Sequence, residues 1–391
     1  MRFRYRSLAA AVAAAVPLGA LGAGTALAAP APHLAPGYQA KTILSGQDLT
    51  HTYTTASGKS ATEHLTKPDD ITVLRGILYV AFQNGVGAQG EPSTDGNLDS
   101  TVVAFTSWGK KVGQWDLRGK CDGLTANPWT GKVVATVNED NNSSLYTIDP
   151  DAWRGGQVQH YSYNKQPLPH HGGTDAISVY HGQLLITASA PGTTGAAAPN
   201  AAYPAVYTVS LNKRDHVATV HPLFYDEAQA TTANSGAGAG KVVKLALTDP
   251  DSSEVVPYVA PRFRGDFMLT SQGDLQQIYV SHAGTPYQKL SVLNLPLSVD
   301  DTAWATSWHG RLYATDNGAD KVDVVTGWFR PGTAFVAVTP CNANSAPATC
   351  PAPPAYPANY LGVLNMFTGQ ISSVTLHGAA VQPQGLLFVS K

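Results

Sequence analysis

Short apolar runs separated by glycine-bearing turns recur along most of this chain. Lys67-Pro68-Asp69-Asp70-Ile71-Thr72-Val73 leads through Gly76 into Ile77-Leu78-Tyr79-Val80-Ala81. Lys120-Cys121-Asp122-Gly123-Leu124-Thr125-Ala126 leads through Trp129-Thr130-Gly131 into Lys132-Val133-Val134-Ala135-Thr136. Gly173-Thr174-Asp175-Ala176-Ile177-Ser178-Val179 and Val299-Asp300-Asp301-Thr302-Ala303-Trp304 open two more such units, each turning at a His-Gly pair. The common form is an acidic residue, a short apolar strand, a turn and a second apolar strand. It predicts hairpins, because glycine supplies the positive φ of the turn and β-branched or aromatic residues suit the strands. Third strands are expected at Leu145–Asp149, Val206–Val209, Gln277–Val280 and Leu361–Asn365. Fourth strands are expected at Val158–Tyr161, His216–Val220, Lys289–Leu293 and Gln370–Val374. Four antiparallel strands per unit describe a propeller blade.

The acidic starts count the units. Asp69, Asp122 and Asp175 are spaced by 53 residues, a weaker start at Glu254 follows, and Asp301 lies 47 residues beyond it. A sixth start, Gln382-Pro383-Gln384-Gly385-Leu386, ends the chain after a single strand, so N-terminal segments at Tyr38–Ile43 and Thr62–Leu65 are expected to complete that blade. The pattern predicts an all-β, single-domain, six-bladed β-propeller closed by N-terminal strands, which removes exposed sheet edges. Two long intervals, of 79 and 83 residues, are read as insertions near 227–250 and 328–360; a seventh, irregular blade is the alternative.

The N-terminus reads differently. Arg2, Arg4 and Arg6, an apolar run from Leu8 to Leu21 and Ala26-Leu27-Ala28 have the form of a secretory signal peptide over residues 1–28. Residues 29–37 are an Ala/Pro-rich linker expected to be disordered, and 38–391 is the propeller. A secreted or cell-envelope location follows. Without the three leader arginines, 22 Lys and Arg face 27 Asp and Glu, a formal charge of −5 that argues against nucleic-acid binding. Charged residues make up 13% of the chain, a profile of strands and tight turns. Three cysteines are present. Cys341 and Cys350 are expected to form a disulfide in an oxidising compartment, and Cys121 reads as a small buried hydrophobe.

The Pro68-Asp69-Asp70-Ile71 start, the segment from Tyr313 to Val322 and the closing Asn365-Met366-Phe367-Thr368-Gly369-Gln370 resemble NHL/YVTN-type repeats. Such repeats occur in the propeller superfamily that includes gluconolactonase-like and streptogramin-lyase-like enzymes. The resemblance implies a fold, and fold does not specify function. The first blade carries Pro68-Asp69-Asp70 where the gluconolactonase-like enzymes usually carry a Glu-Gly-Pro metal-ligand start.

In such an architecture Asp69, Asp122, Asp175, Glu254, Asp301 and Gln384 surround the mouth of one channel and are the expected ligand-binding residues. The five acids would repel one another unless a cation lies among them, and Ca²⁺ or another divalent metal suits such oxygen donors. The competing assignment is that each acid caps a turn. The mouth is also expected to hold the loops Gln83–Asp99, Asn138–Ser143 and Ala190–Pro204 and an insertion after Asp316. His170 or His171 is the candidate for moving a proton. Asn138-Glu139-Asp140-Asn141-Asn142 and Asp316-Asn317 are oxygen-rich, and equally good turn sequences. No nucleophile elbow, zinc-protease helix, C-x-x-C pair or phosphate loop is present. Two functions follow: an extracellular monomer binding a protein, glycan or small molecule at the mouth, or a metal-dependent hydrolase or lyase acting on a sugar, lactone or similar small molecule there.

Overall fold

A computed structural model describes residues 37–165, 173–190, 203–341 and 357–391. No α-helix occurs among them. Strands rich in Val, Ile, Leu, Thr and Tyr form groups of antiparallel sheet. The innermost strands, Pro68–Leu74, Cys121–Asn127, Thr174–Tyr180, Pro250–Val255, Val299–Trp304 and Leu386–Ser390, lie side by side in a closed cycle. The fold is an all-β propeller.

The buried apolar residues form separate wedges, one between each consecutive pair of strand groups. Tyr79, Ala81 and Val102 of the first group pack against Leu124, Val133 and Ala135 of the second. Tyr313, Val322 and Val324 of the last group pack against Ile71, Val80 and Phe82 of the first, which closes the ring. A second strand such as Ile77–Phe82 is therefore buried on both faces and apolar almost throughout, whereas the outer strand Lys111–Arg118 is mostly exposed.

The third and fourth strands lie where the apolar pattern puts them, but three connections differ from expectation. Val299–Trp304 does not form a hairpin with Arg311–Thr315. It pairs with Ala334–Val338, while Gly310–Asp316 crosses to the last group and pairs with Leu386–Ser390 and Lys321–Thr326. The innermost strand Leu386–Ser390 takes its second and third strands from within the preceding unit. The residues after Asp316 accordingly form a tight turn into Lys321–Thr326, and the region near 328–360 contributes a strand of the fifth group. Secondly, Tyr38–Ser45 does join the last sheet, but Ser60–His64 does not; it pairs with Thr50–Thr54 in a separate hairpin. Only one face of that hairpin is buried. It seats on the first group through His51, whose Nε2 lies 3.0 Å from Glu63 Oε1 and Nδ1 3.2 Å from Asp116 Oδ1. Thirdly, the region near 227–250 forms an edge hairpin, Gln229–Thr232 with Val242–Lys244, on the fourth sheet. Cys121 is buried. Cys350 lies outside the described residues, and Cys341 is buried at the edge of them.

Each of the first five innermost strands breaks register at its acidic start: between Pro68 and Ile71, Cys121 and Leu124, Thr174 and Ile177, Pro250 and Ser252, and Val299 and Thr302. A bulge sets two residues against one and re-aims their side chains. Across these bulges run two kinds of latch between neighbouring groups. In one, a threonine of the second strand bridges: Thr136 Oγ1 accepts from Gly123 N (3.0 Å) and donates to Asp175 O, and Thr315 Oγ1 accepts from Gly385 N (2.7 Å) and donates to Asp69 O (2.5 Å). A Cβ at Gly123 would lie 2.5 Å from that threonine oxygen, so the bridge requires glycine. In the other, an aspartate replaces the glycine and alanine (Ala81, Ala337) replaces the threonine. Asp70 Oδ2 accepts from Leu124 N (2.7 Å), and Asp301 Oδ2 accepts from Leu386 N (2.6 Å).

Thr136→Val and Thr315→Val keep the shape of the side chain but leave a buried N–H and carbonyl unpaired. Each is expected to lower the unfolding free energy by about 2–3 kcal/mol in urea titrations. Thr54→Val, at an exposed strand position, should change it by less than ~0.5 kcal/mol. Equal effects at the three sites would contradict the latch.

Candidate functional site

The bulges turn one acidic side chain of each innermost strand toward the common axis. There a cavity of about 210 Å³ is walled by Asp69, Asp122, Asp175, Asp251, Asp300 and Gln384 at the mouth. The deeper wall includes Thr72, Thr125 and Glu254. Asp70, Asp301 and Glu139 also reach it, and Lys120 is the one cation on its wall.

All six expected ligand residues thus lie on one wall, though two hold different stations from those expected. Register aligns Asp251, not Glu254, with Asp69, Asp122 and Asp175; Glu254 sits three residues further along its strand. Asp300, not Asp301, fills the fifth mouth position. Asp301 is the latch described above, and its second oxygen accepts from Thr302 N at 2.6 Å. The sequence did carry signals for the missed pair, since Pro250-Asp251 repeats Pro68-Asp69 and Val299-Asp300-Asp301 repeats Pro68-Asp69-Asp70. Gln83 and Glu139 belong to loops expected at the mouth, whereas no comparable signal marked Lys120, which reaches it from a strand end.

The two sides of the mouth differ. On one, Gln83 Nε2 donates to Asp69 Oδ2 (2.8 Å) and Asp122 Oδ1 (2.9 Å), while Lys120 Nζ pairs with Asp122 Oδ1 (2.8 Å) and Glu139. On the other, Asp251 and Asp300 line the cavity as neighbouring carboxyls, and burial and the charge of Asp300 raise the pKa of Asp251. Among the described residues, Asp122 Oδ2 and Asp251 Oδ2 are buried without a hydrogen-bond partner.

Burial, then mutual repulsion, raises these acids. Asp69 is pushed up to about 7 by burial and Glu139, against the pull of Lys120. Glu254 is pushed up to about 8 by burial and Asp301. Asp301 reaches only about 6, because burial is opposed by its two backbone donors. Burial with neighbouring carboxylates also holds Asp122, Asp175, Asp251 and Asp300 well above the ordinary range. For Lys120 burial works to lower the pKa, but Asp122, Glu139 and Asp69 together raise it, so it stays charged.

Among the described residues no three His, Cys, Asp or Glu side chains converge closely enough to hold a metal ion. The acids expected to ligate one, Asp69, Asp122, Asp175, Glu254 and Asp301, are dispersed around the wall, so the arrangement does not fit a single divalent ion. His170 and His171 lie outside the described residues. Of the oxygen-rich loops, Asp316 caps a turn through Ala319 N (3.1 Å) and Gln382 N (3.1 Å), and Asn138 Oδ1 accepts from Lys120 N (3.0 Å). Both are turn-stabilising roles.

A carboxyl raised in the folded state favours folding below its ordinary pKa, and that contribution is lost as pH rises through the raised value. Glu254 and Asp69 place the loss between about pH 4.5 and pH 8. The melting temperature is expected to fall by on the order of 5 °C between about pH 5 and pH 8. The double substitution Asp251→Asn with Asp300→Asn should flatten that fall; an unchanged slope would show that the mouth acids are not repelling one another.

No family model matches the chain, and no curated protein matches it. Solved structures do. The periplasmic gluconolactonase of Pseudomonas aeruginosa is 14% identical, with 90% of this chain and 99% of that chain covered and a TM-score of 0.45. Virginiamycin B lyase from Staphylococcus aureus is 11% identical over 74% of this chain and 99% of that chain, with a TM-score of 0.35. A gluconolactonase from Xanthomonas campestris is 12% identical over 75% and 99%, also with a TM-score of 0.35. At such identities the likeness concerns the fold.

Proposed function

We propose that this is an exported, monomeric six-bladed propeller that binds a small organic cation, such as an amine or guanidinium compound, at the acidic mouth of its channel. The reading rests on one observation. Among the described residues, a ring of carboxyl groups faces a single lysine, and two buried carboxylate oxygens, Asp122 Oδ2 and Asp251 Oδ2, lack a hydrogen-bond donor. A cationic ligand with several N–H groups would supply donors to acids spaced around a ring, which a single ion at one point does not. Thr72 and Thr125, deeper in the channel, would meet the uncharged part of the ligand. Export follows from the leader-like N-terminus; among the described residues no helix is long and apolar enough to cross a membrane. Cys341 and Cys350 are proposed to close the intervening loop as a disulfide.

A second reading is favoured by the value of about 8 at Glu254. A carboxyl that is protonated near neutral pH, beside others that are ionised, can act as a general acid in the hydrolysis of a lactone or sugar substrate. His170 or His171 would then be available as the base. This version takes no step through a metal.

Calorimetric titration with spermidine at about pH 8 separates the two. Binding is expected, with Asp122→Asn and Asp251→Asn each weakening it at least ~tenfold and Asp215→Asn, in a distant turn, leaving it unchanged. Calcium binding that excludes spermidine would overturn the organic-cation reading. Lactone hydrolysis abolished by Glu254→Gln, without amine binding, would establish the second.

A further inference from the structure

The face opposite the acidic mouth has a different chemistry. Each innermost strand starts at the mouth, so the turns joining first to second and third to fourth strands lie on the far face. Every one of those turns is among the described residues. Nine aromatic side chains of the described residues are markedly exposed, and all but Tyr225 sit in these turns. Trp108 and Trp153, each 77% exposed, tip the third-to-fourth turns of the first two groups, and Trp129 tips a first-to-second turn. Tyr258 and Tyr287 tip the fourth group, Trp308 and Trp328 the strands around the closure, and Phe367 the fifth.

Cations accompany the rings. Lys110 and Lys111 follow Trp108, Lys132 follows Trp129, Arg154 follows Trp153, and Arg330 follows Trp328. The third group has no exposed aromatic tip but presents Lys213 and Arg214. Arg311 lies 4.1 Å over the Trp108 ring, and the Trp308 and Trp328 rings are 6.0 Å apart. Acids are few here. Asp149 and Asp151 are paired with Lys132 (3.0 Å) and Arg75 (2.5 Å), and Asp215 and Asp266 are the others.

We propose that this face docks on the surface of an anionic lipid bilayer. Isolated apolar residues on a protein surface need no explanation, but a set of exposed Trp and Tyr confined to one face does. Trp and Tyr are the side chains favoured at a membrane–water boundary, because each joins an apolar ring to a polar N–H or O–H. Lys and Arg beside them complement anionic headgroups, and the combination of shallow apolar insertion and basic charge gives reversible peripheral binding. The tips are distributed over five of the six strand groups rather than along one groove, which suits a flat, extended partner better than a single polymer chain. Bound this way, the acidic mouth is turned from the bilayer, where like charge would otherwise repel it.

The test is co-sedimentation of the chain with vesicles of phosphatidylglycerol and phosphatidylcholine, against phosphatidylcholine alone, with tryptophan emission followed in parallel. Binding to the anionic vesicles is expected to be at least ~tenfold tighter, to weaken with salt and to shift the emission to the blue. Lys213→Glu with Arg214→Glu, and separately Trp108→Ala with Trp153→Ala, should each weaken binding at least ~tenfold, whereas Lys59→Glu with Lys67→Glu, on the mouth side, should not. Brominated lipid should quench the emission of the unaltered protein, which checks insertion without any substitution. No sedimentation with anionic vesicles, no quenching, or binding to dextran sulfate in place of vesicles would overturn the proposal.

Discussion

Closure of the ring is the constraint on which the other features depend. A strand group of this protein buries its apolar faces only against its two neighbours, so the core is divided into wedges, and the wedge between the last group and the first forms only when the ring closes. That last contact is made by residues from both ends of the chain, Tyr38–Ser45 and Leu386–Ser390, and is locked by the Thr315 hydroxyl between Gly385 and Asp69. The same bulges that make room for the latches turn the acids inward. Local geometry needed for closure therefore also builds the site.

Gathering acids in this way carries an electrostatic cost that the structure meets unevenly. One side of the mouth has Lys120 and Gln83 as donors, while the other sets the carboxyls of Asp251 and Asp300 near one another. Burial without enough counter-charge raises carboxyl pKa values until the groups are partly neutral. A site in that state is poised for a positively charged visitor, or for proton transfer. Two acids that look like members of the ring, Asp70 and Asp301, are instead bound by backbone N–H groups and hold neighbouring strand groups together. Their identity as structural residues explains why Ala81 and Ala337 stand where the other groups have threonine.

The two ends of the channel are chemically opposed. Acids collect where strands begin, and aromatic and basic residues collect in the turns where they end. Neither distribution is needed for the propeller itself, since turns tolerate most polar residues. A polarity of this kind orients a molecule with respect to a surface.

The hairpin-by-hairpin pattern of the chain was sufficient for its strand content, its repeated unit and most third and fourth strands. These depend on local alternation and turn chemistry, which a sequence displays directly. The stations of Asp69, Asp122, Asp175 and Gln384 were legible for the same reason. Pairing between distant segments was not. Gly310–Asp316 has the pattern of a hairpin partner for Val299–Trp304, and only the unfilled edge of the last group draws it elsewhere. Likewise Asp251 and Asp300 could be told from Glu254 and Asp301 only by register, because a single-residue bulge changes which carboxyl faces the axis and which is tied to a neighbouring backbone. Sequence determined the elements and their repetition; tertiary structure decided their partners, since long-range pairing is selected by which edges remain open after local structure has formed.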